Sequence, residues 1–108
     1  MRIVIVGAGE VGSSIAKSLS DSHEVVVIDT DPDRVEAVTY SIDVLAIEGD
    51  GVEAATLKEA GVGDADILIA STDDDETNII TCGTAKTIDD PFTIARVKDT
   101  KFLDTWAE

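Results

Sequence analysis

With 108 residues the chain holds one domain at most and can bury only a small core. Apolar residues make up 44% of it, which excludes a disordered chain, and no apolar run approaches the roughly 20 residues that a bilayer span requires. A net charge of −15 repels nucleic acid and anionic headgroups, so neither nucleic-acid binding nor direct membrane insertion is expected. So acidic a chain also suits a salty cytoplasm, since at about 1 M salt the Debye length is roughly 3 Å and the carboxylates hardly repel one another.

Residues 1–6 are too few for a signal-peptide core and lack a small-residue cleavage site, so they read as the first strand of a cytoplasmic protein. Residues 10–20 follow as a helix with Ile15, Ala16 and Leu19 on one face. After a turn at 20–22, residues 24–29 form a second strand. Asp31 then caps a helix that has Pro32 at its first position and runs to about Thr39. Residues 43–48 are a third strand, left through the turn Gly49-Asp50-Gly51. A helix over 52–60 is stopped by Gly61. The fourth strand spans 66–70, and Thr72 caps a long helix over 73–87. The acids at 73–76 sit at the positive end of its dipole. A fifth strand over 92–97 leads into a helix over 99–107 with Phe102, Leu103 and Trp106 as its apolar face.

Strands of about five residues, apolar on both faces and separated by helices, imply a parallel sheet. The fold class expected is α/β, a doubly wound Rossmann-type sheet truncated after its fifth βα unit. A full sheet of this type carries a sixth strand.

The chemistry lies in the first turn. Gly7-Ala8-Gly9-Glu10-Val11-Gly12 leaves a strand and opens a helix, the context in which GxGxxG is a dinucleotide fingerprint. Gly7 permits the tight turn, Gly9 admits a pyrophosphate to the backbone, and Gly12 lets the helix approach the sheet. The free N–H groups and the dipole of the helix start then face the anion. Asp29 ends the second strand 22 residues after Gly7. Its carboxylate can accept hydrogen bonds from the ribose hydroxyls, each worth about 1.5–3 kcal/mol. It also opposes a 2′-phosphate, which favours NAD over NADP. Ligands on such a sheet sit beyond the strand ends at the switch between strands one and four. Asp50 and Gly51 are therefore expected on the adenine side, and Ser71, Thr72 and Asp73 toward the second phosphate. The cofactor-binding set expected at these strand ends is completed by Ala8, Glu10, Val11, Thr30, Asp31, Arg34, Gly49 and Ala70, with Glu76 and Asn78 on the helix that follows.

Five stretches carry a more specific resemblance. They are residues 1–12, residues 25–29 (Val-Val-Val-Ile-Asp), Glu48-Gly49-Asp50-Gly51, residues 64–70 leading into Asp75-Glu76-Thr77-Asn78, and Ile94-Ala95-Arg96. In register they resemble the RCK or KTN domains, the nucleotide-binding regulatory domains of potassium transport systems, and within these the TrkA N-terminal type. The resemblance implies regulation rather than catalysis. Such a domain binds NAD or NADH, with ATP or ADP the second choice. It pairs into a homodimer or a higher ring, and gates potassium flow through a Trk-type membrane transporter subunit. It would lie in the cytoplasm, peripheral to the inner face of the cell membrane through that partner. It also implies that Arg96 lies near the ligand phosphates. Members favouring ATP often carry a basic residue where this chain has Glu10. A carboxylate there costs a terminal phosphate on the order of 1–4 kcal/mol at about 4 Å. The chain departs from the family's pattern in lacking the sixth strand and the small C-terminal domain.

Three other readings are weighed against this one. An NAD-dependent oxidoreductase whose substrate domain is absent from the chain would use the same fold. His23, however, sits in the turn before the second strand, far from the ligand end. Tyr40 has Val44 rather than lysine four positions on. A cation site in 73–76 is disfavoured because successive helical positions point around the axis rather than converging. Cys82, the only cysteine, allows no internal disulfide and reads as a small hydrophobe on a helix.

Overall fold

The computed structural model describes residues 1–101. Its elements in chain order are β1 (Arg2–Val6), α1 (Glu10–Leu19), β2 (Glu24–Asp29), α2 (Pro32–Ser41), β3 (Leu45–Glu48), α3 (Ala54–Glu59), a short 3-10 turn (Val62–Asp64), β4 (Ile67–Ala70), α4 (Asp75–Ile88) and β5 (Phe92–Ala95). All neighbouring strands pair in parallel, in the order β3-β2-β1-β4-β5. The chain thus winds outward from β1 to β3, crosses to β4 on the other side, and winds outward again.

Strand pleating sends alternate side chains to opposite faces, so a strand covered on both faces is apolar throughout. In β1, Val4 and Val6 join Leu57, Ala60, Leu68 and Ala85 in the core under α3 and α4. Ile3 and Ile5 join Ala8, Ala16, Val27 and Val38 in the core under α1 and α2. The sheet is therefore doubly wound, as expected. Coverage fails at the edges: Leu45 of β3 and Phe92 and Ile94 of β5 are exposed, because an edge strand has a neighbour on one side only.

Several boundaries differ from the sequence reading. β3 begins at Leu45 rather than Asp43, and β5 ends at Ala95 rather than Val97. α3 begins at Ala54 behind Glu53, and the 3-10 turn after Gly61 was not anticipated. Gly61 stops α3 in the left-handed region at φ +83°. The largest difference is at α4. Asp74, not Thr72, is its N-cap, and the Asp74 carboxylate accepts from the Thr77 N–H at 3.1 Å. Cys82 is half-buried on α4, and burial pushes its thiol pKa up. The helix expected over 99–107 lies mostly outside the described residues, as do Phe102, Leu103 and Trp106. No described helix is long and apolar enough to cross a membrane.

Candidate functional site

In-register pairing brings the ends of all five strands to one level. Val6 lies opposite Ile28 and Ala70, Asp29 opposite Glu48, and Ala70 opposite Ala95. Beyond these ends, at the switch between β1 and β4, is a cleft of about 590 Å³. Ligand sites of 300–1,000 Å³ at this position are a property of the architecture.

One wall is the glycine loop. Gly7 turns the chain at φ +109° while its N–H donates to the Ile28 carbonyl at 2.7 Å. α1 then starts behind Gly9 with no side chain capping it. Its first-turn N–H groups, which have no intrahelical acceptor, are left to the cleft. Gly12 is more constrained than expected. A Cβ there would stand 1.8 Å from the Gly7 carbonyl oxygen and 2.9 Å from Ser71 Oγ, so it is the loop and the β4 exit, not only the sheet, that demand glycine. Gly51 is fixed similarly, since a Cβ would meet Val6 Cγ1 at 2.4 Å.

The second wall is Asp29. Its carboxylate is largely buried and accepts from the Ala8 N–H at 2.7 Å through Oδ2 and from the Asp31 N–H at 2.8 Å through Oδ1. Arg34 Nη1 stands 3.8 Å from Oδ2, and Arg34 Nε 3.9 Å from Asp31. Thr30, Gly49 and Asp50 continue this side. The Asp50 carboxylate is turned inward to accept from the Val52 N–H at 3.1 Å.

The far wall comes from the exits of β4 and β5. Ser71 is buried, its N–H and hydroxyl both donating to the Val6 carbonyl. Arg96 reaches back across Thr72. Its Nη1 lies 3.5 Å from the Thr72 carbonyl and 3.3 Å from Asp73 Oδ1. The described lining carries five carboxylates (Glu10, Asp29, Asp50, Asp73, Asp74) and two guanidinium groups (Arg34, Arg96).

Most of the sequence-derived set lines this cleft: Gly7, Gly9, Glu10, Val11, Asp29, Thr30, Arg34, Gly49, Asp50, Gly51, Ser71, Thr72, Asp73 and Arg96. Ala8 and Asp31 contribute backbone N–H groups to Asp29 instead. Gly12 and Ala70 are buried behind the lining. Asn78 and Glu76 are placed off the cleft. Asn78 is fully buried and gives its whole amide to other protein groups, while Glu76 is exposed elsewhere on α4. The structure adds Val6, Ile28, Asp74 and Thr77 to the lining. Val6 and Ile28 could have been found as the last apolar residues before the loop and before Asp29. Asp74 and Thr77 depended on locating the helix start.

The acidic run does not behave as four helical positions. Asp73 pairs with Arg96, Asp74 caps α4, and Asp75 turns back beneath the sheet end, its carboxylate accepting from the Lys98 N–H at 2.9 Å and the Asp99 N–H at 2.8 Å. Those two bonds hold its pKa below the ordinary aspartate value. Among the described residues no group of His, Cys, Asp and Glu is placed to hold a metal ion.

A doubly wound parallel sheet with a glycine-rich β1–α1 loop and an acid closing β2 defines a Rossmann-type domain, the fold class that carries dinucleotide sites at this switch point. The family model of the TrkA-N domain matches residues 3–107, and the chain belongs to that family. It is 41% identical over 104 residues to a Trk system potassium uptake protein TrkA homolog from Archaeoglobus fulgidus, covering 96% of this chain and 24% of the relative. It is also 41% identical over 105 residues to the Trk system potassium uptake protein TrkA of Halomonas elongata, covering 95% and 23%. The chain thus spans about a quarter of the length of these curated relatives. Its fold matches the crystal structure of the TrkA-N domain of an inner membrane protein from Escherichia coli, with TM-score 0.84 at 24% identity over 93% of this chain and 75% of that one.

Proposed function

We propose that the domain senses a nicotinamide dinucleotide for a Trk-type potassium uptake system and, through a membrane transporter subunit, gates potassium flow. NAD or NADH would lie across the strand ends, with the adenosine ribose on Asp29 and the pyrophosphate between the first turn of α1 and Arg96. The observation that carries this reading is the joining of Asp29 to the glycine loop by the 2.7 Å bond from Ala8, which puts a hydroxyl acceptor beside a set of undirected N–H donors. ATP and ADP rank second, because Glu10 and Asp73 both line the cleft and repel a terminal phosphate. A homodimer or larger ring in the cytoplasm, held to the membrane by the transporter, belongs to the same proposal.

Calorimetric titration of NADH, NAD, ATP and ADP in high KCl, with Asp29→Ala as control, tests the reading. NADH or NAD binding, abolished in the variant, is expected; tight ATP binding without NADH binding would reverse the ligand order, and undiminished binding by the variant would refute the ribose placement. Steady loss of NADH absorbance with a small carbonyl substrate would favour an oxidoreductase instead.

A further inference from the structure

Asn78 lies on the first turns of α4, beneath the phosphate end of the cleft, with none of its surface exposed. Its Oδ1 accepts from the Thr72 N–H at 2.9 Å and from the Thr72 hydroxyl at 2.7 Å. Its Nδ2 donates to the Thr72 carbonyl at 3.0 Å and to the Arg96 carbonyl at 2.9 Å. The two strand exits thus present one pair of donors and one pair of acceptors to a single buried point. Only a carboxamide offers both kinds of partner there. A carboxylate would set lone pairs against two carbonyls, and an isosteric leucine would take away the partner of the Thr72 N–H and of the Arg96 carbonyl.

We propose that Asn78 is a positioning residue for the phosphate end of the cleft, an inference that rests on the nucleotide reading above. The Thr72 carbonyl held by Asn78 is the one that Arg96 Nη1 approaches from the other side at 3.5 Å. One amide therefore fixes both the main chain of Arg96 and the oxygen on which its guanidinium leans. Asp75, one turn earlier, anchors the next two backbone N–H groups after Val97, so Arg96 is held from both ends of its segment. Asn78 touches no ligand; it determines where the charge of Arg96 stands.

The test is a double-mutant cycle. NADH affinity is measured by calorimetry for the unsubstituted chain, Asn78→Asp, Arg96→Gln and the double variant, with thermal melts alongside. Asn78→Asp is expected to weaken binding about tenfold, and in the Arg96→Gln background to add little further loss. Equal loss in both backgrounds, or unchanged affinity in Asn78→Asp, would overturn the inference while leaving the nucleotide reading intact. Absence of binding by the unsubstituted chain would overturn both. Should Asn78→Asp not fold, nitrogen-15 NMR of the unsubstituted chain decides. NADH is expected to shift the Asn78 side-chain amide and the Lys98 backbone amide, neither of which lines the cleft, and resonances that stay in place would refute the positioning role.

Discussion

The carboxylate of Asp29 accepts the backbone N–H of Ala8 at 2.7 Å, although the two residues are 21 positions apart. The end of β2 is thereby tied to the loop that leaves β1, and the acid is oriented by the same loop that presents the anion-binding N–H groups. Asp29 is at once a strut of the turn and, in the function proposed, the acceptor for a ribose.

That double role makes Asp29→Ala informative in two assays. Removing the carboxylate leaves the Ala8 and Asp31 N–H groups unpaired, so stability to urea should fall by about 1–3 kcal/mol while NADH binding is lost. A carboxylate in this place also disfavours a 2′-phosphate, and NADPH should bind about tenfold or more weakly than NADH. Equal affinities for the two cofactors would show that the ribose lies elsewhere.

Glycines at two helical positions should respond in opposite directions. Gly12→Ala forces a methyl group to within 1.8 Å of the Gly7 oxygen, and a destabilisation of about 3 kcal/mol is expected as the loop is pushed aside. Gly83, inside α4, has open space around a built Cβ. There alanine should stabilise by about 0.5–1 kcal/mol through helix propensity. Denaturant midpoints of the two variants moving in the same direction would contradict this packing.

Asp75 links the fold to acid. The Lys98 N–H, and after it the Asp99 N–H, hold its pKa below the ordinary aspartate value. A group whose folded pKa is depressed stabilises the protein above its unfolded pKa, and that contribution fades as pH falls from there through the folded pKa. The parent chain should therefore lose more stability between pH 7 and pH 3 than Asp75→Asn does. Identical losses in parallel urea titrations would mean that the charge of Asp75 is not what holds residues 98 and 99.

Surface charge should make the domain salt-dependent. The net charge is −15, and acids such as Asp21, Asp33, Glu36, Asp43 and Glu59 are exposed. Raising KCl from dilute buffer to about 1 M shortens the Debye length to roughly 3 Å, and the melting temperature should climb with it. A melting temperature independent of KCl would show that self-repulsion among these acids is not a controlling term.

Much of this protein is local information. The five strands, four of the helices, the Asp31-Pro32 start of α2 and the left-handed stop at Gly61 follow from hydrophobic period and from single-residue backbone preferences, which act over a few neighbours. The glycine loop and Asp29 were legible for the same reason, since each occupies a fixed offset from a strand end. Tertiary structure alone decided the rest. Thr72, Asp73 and Asp74 are all competent caps by composition; Asp74 takes the role, while the N–H and the hydroxyl of Thr72 both donate to Asn78. Asn78 is drawn off the cleft, and Asp75 away from the solvent-facing helix start, by partners 18 to 24 positions away on a different strand exit. Such contacts leave no periodic trace in the chain. They exist only once the parallel sheet has brought the ends of β4 and β5 together.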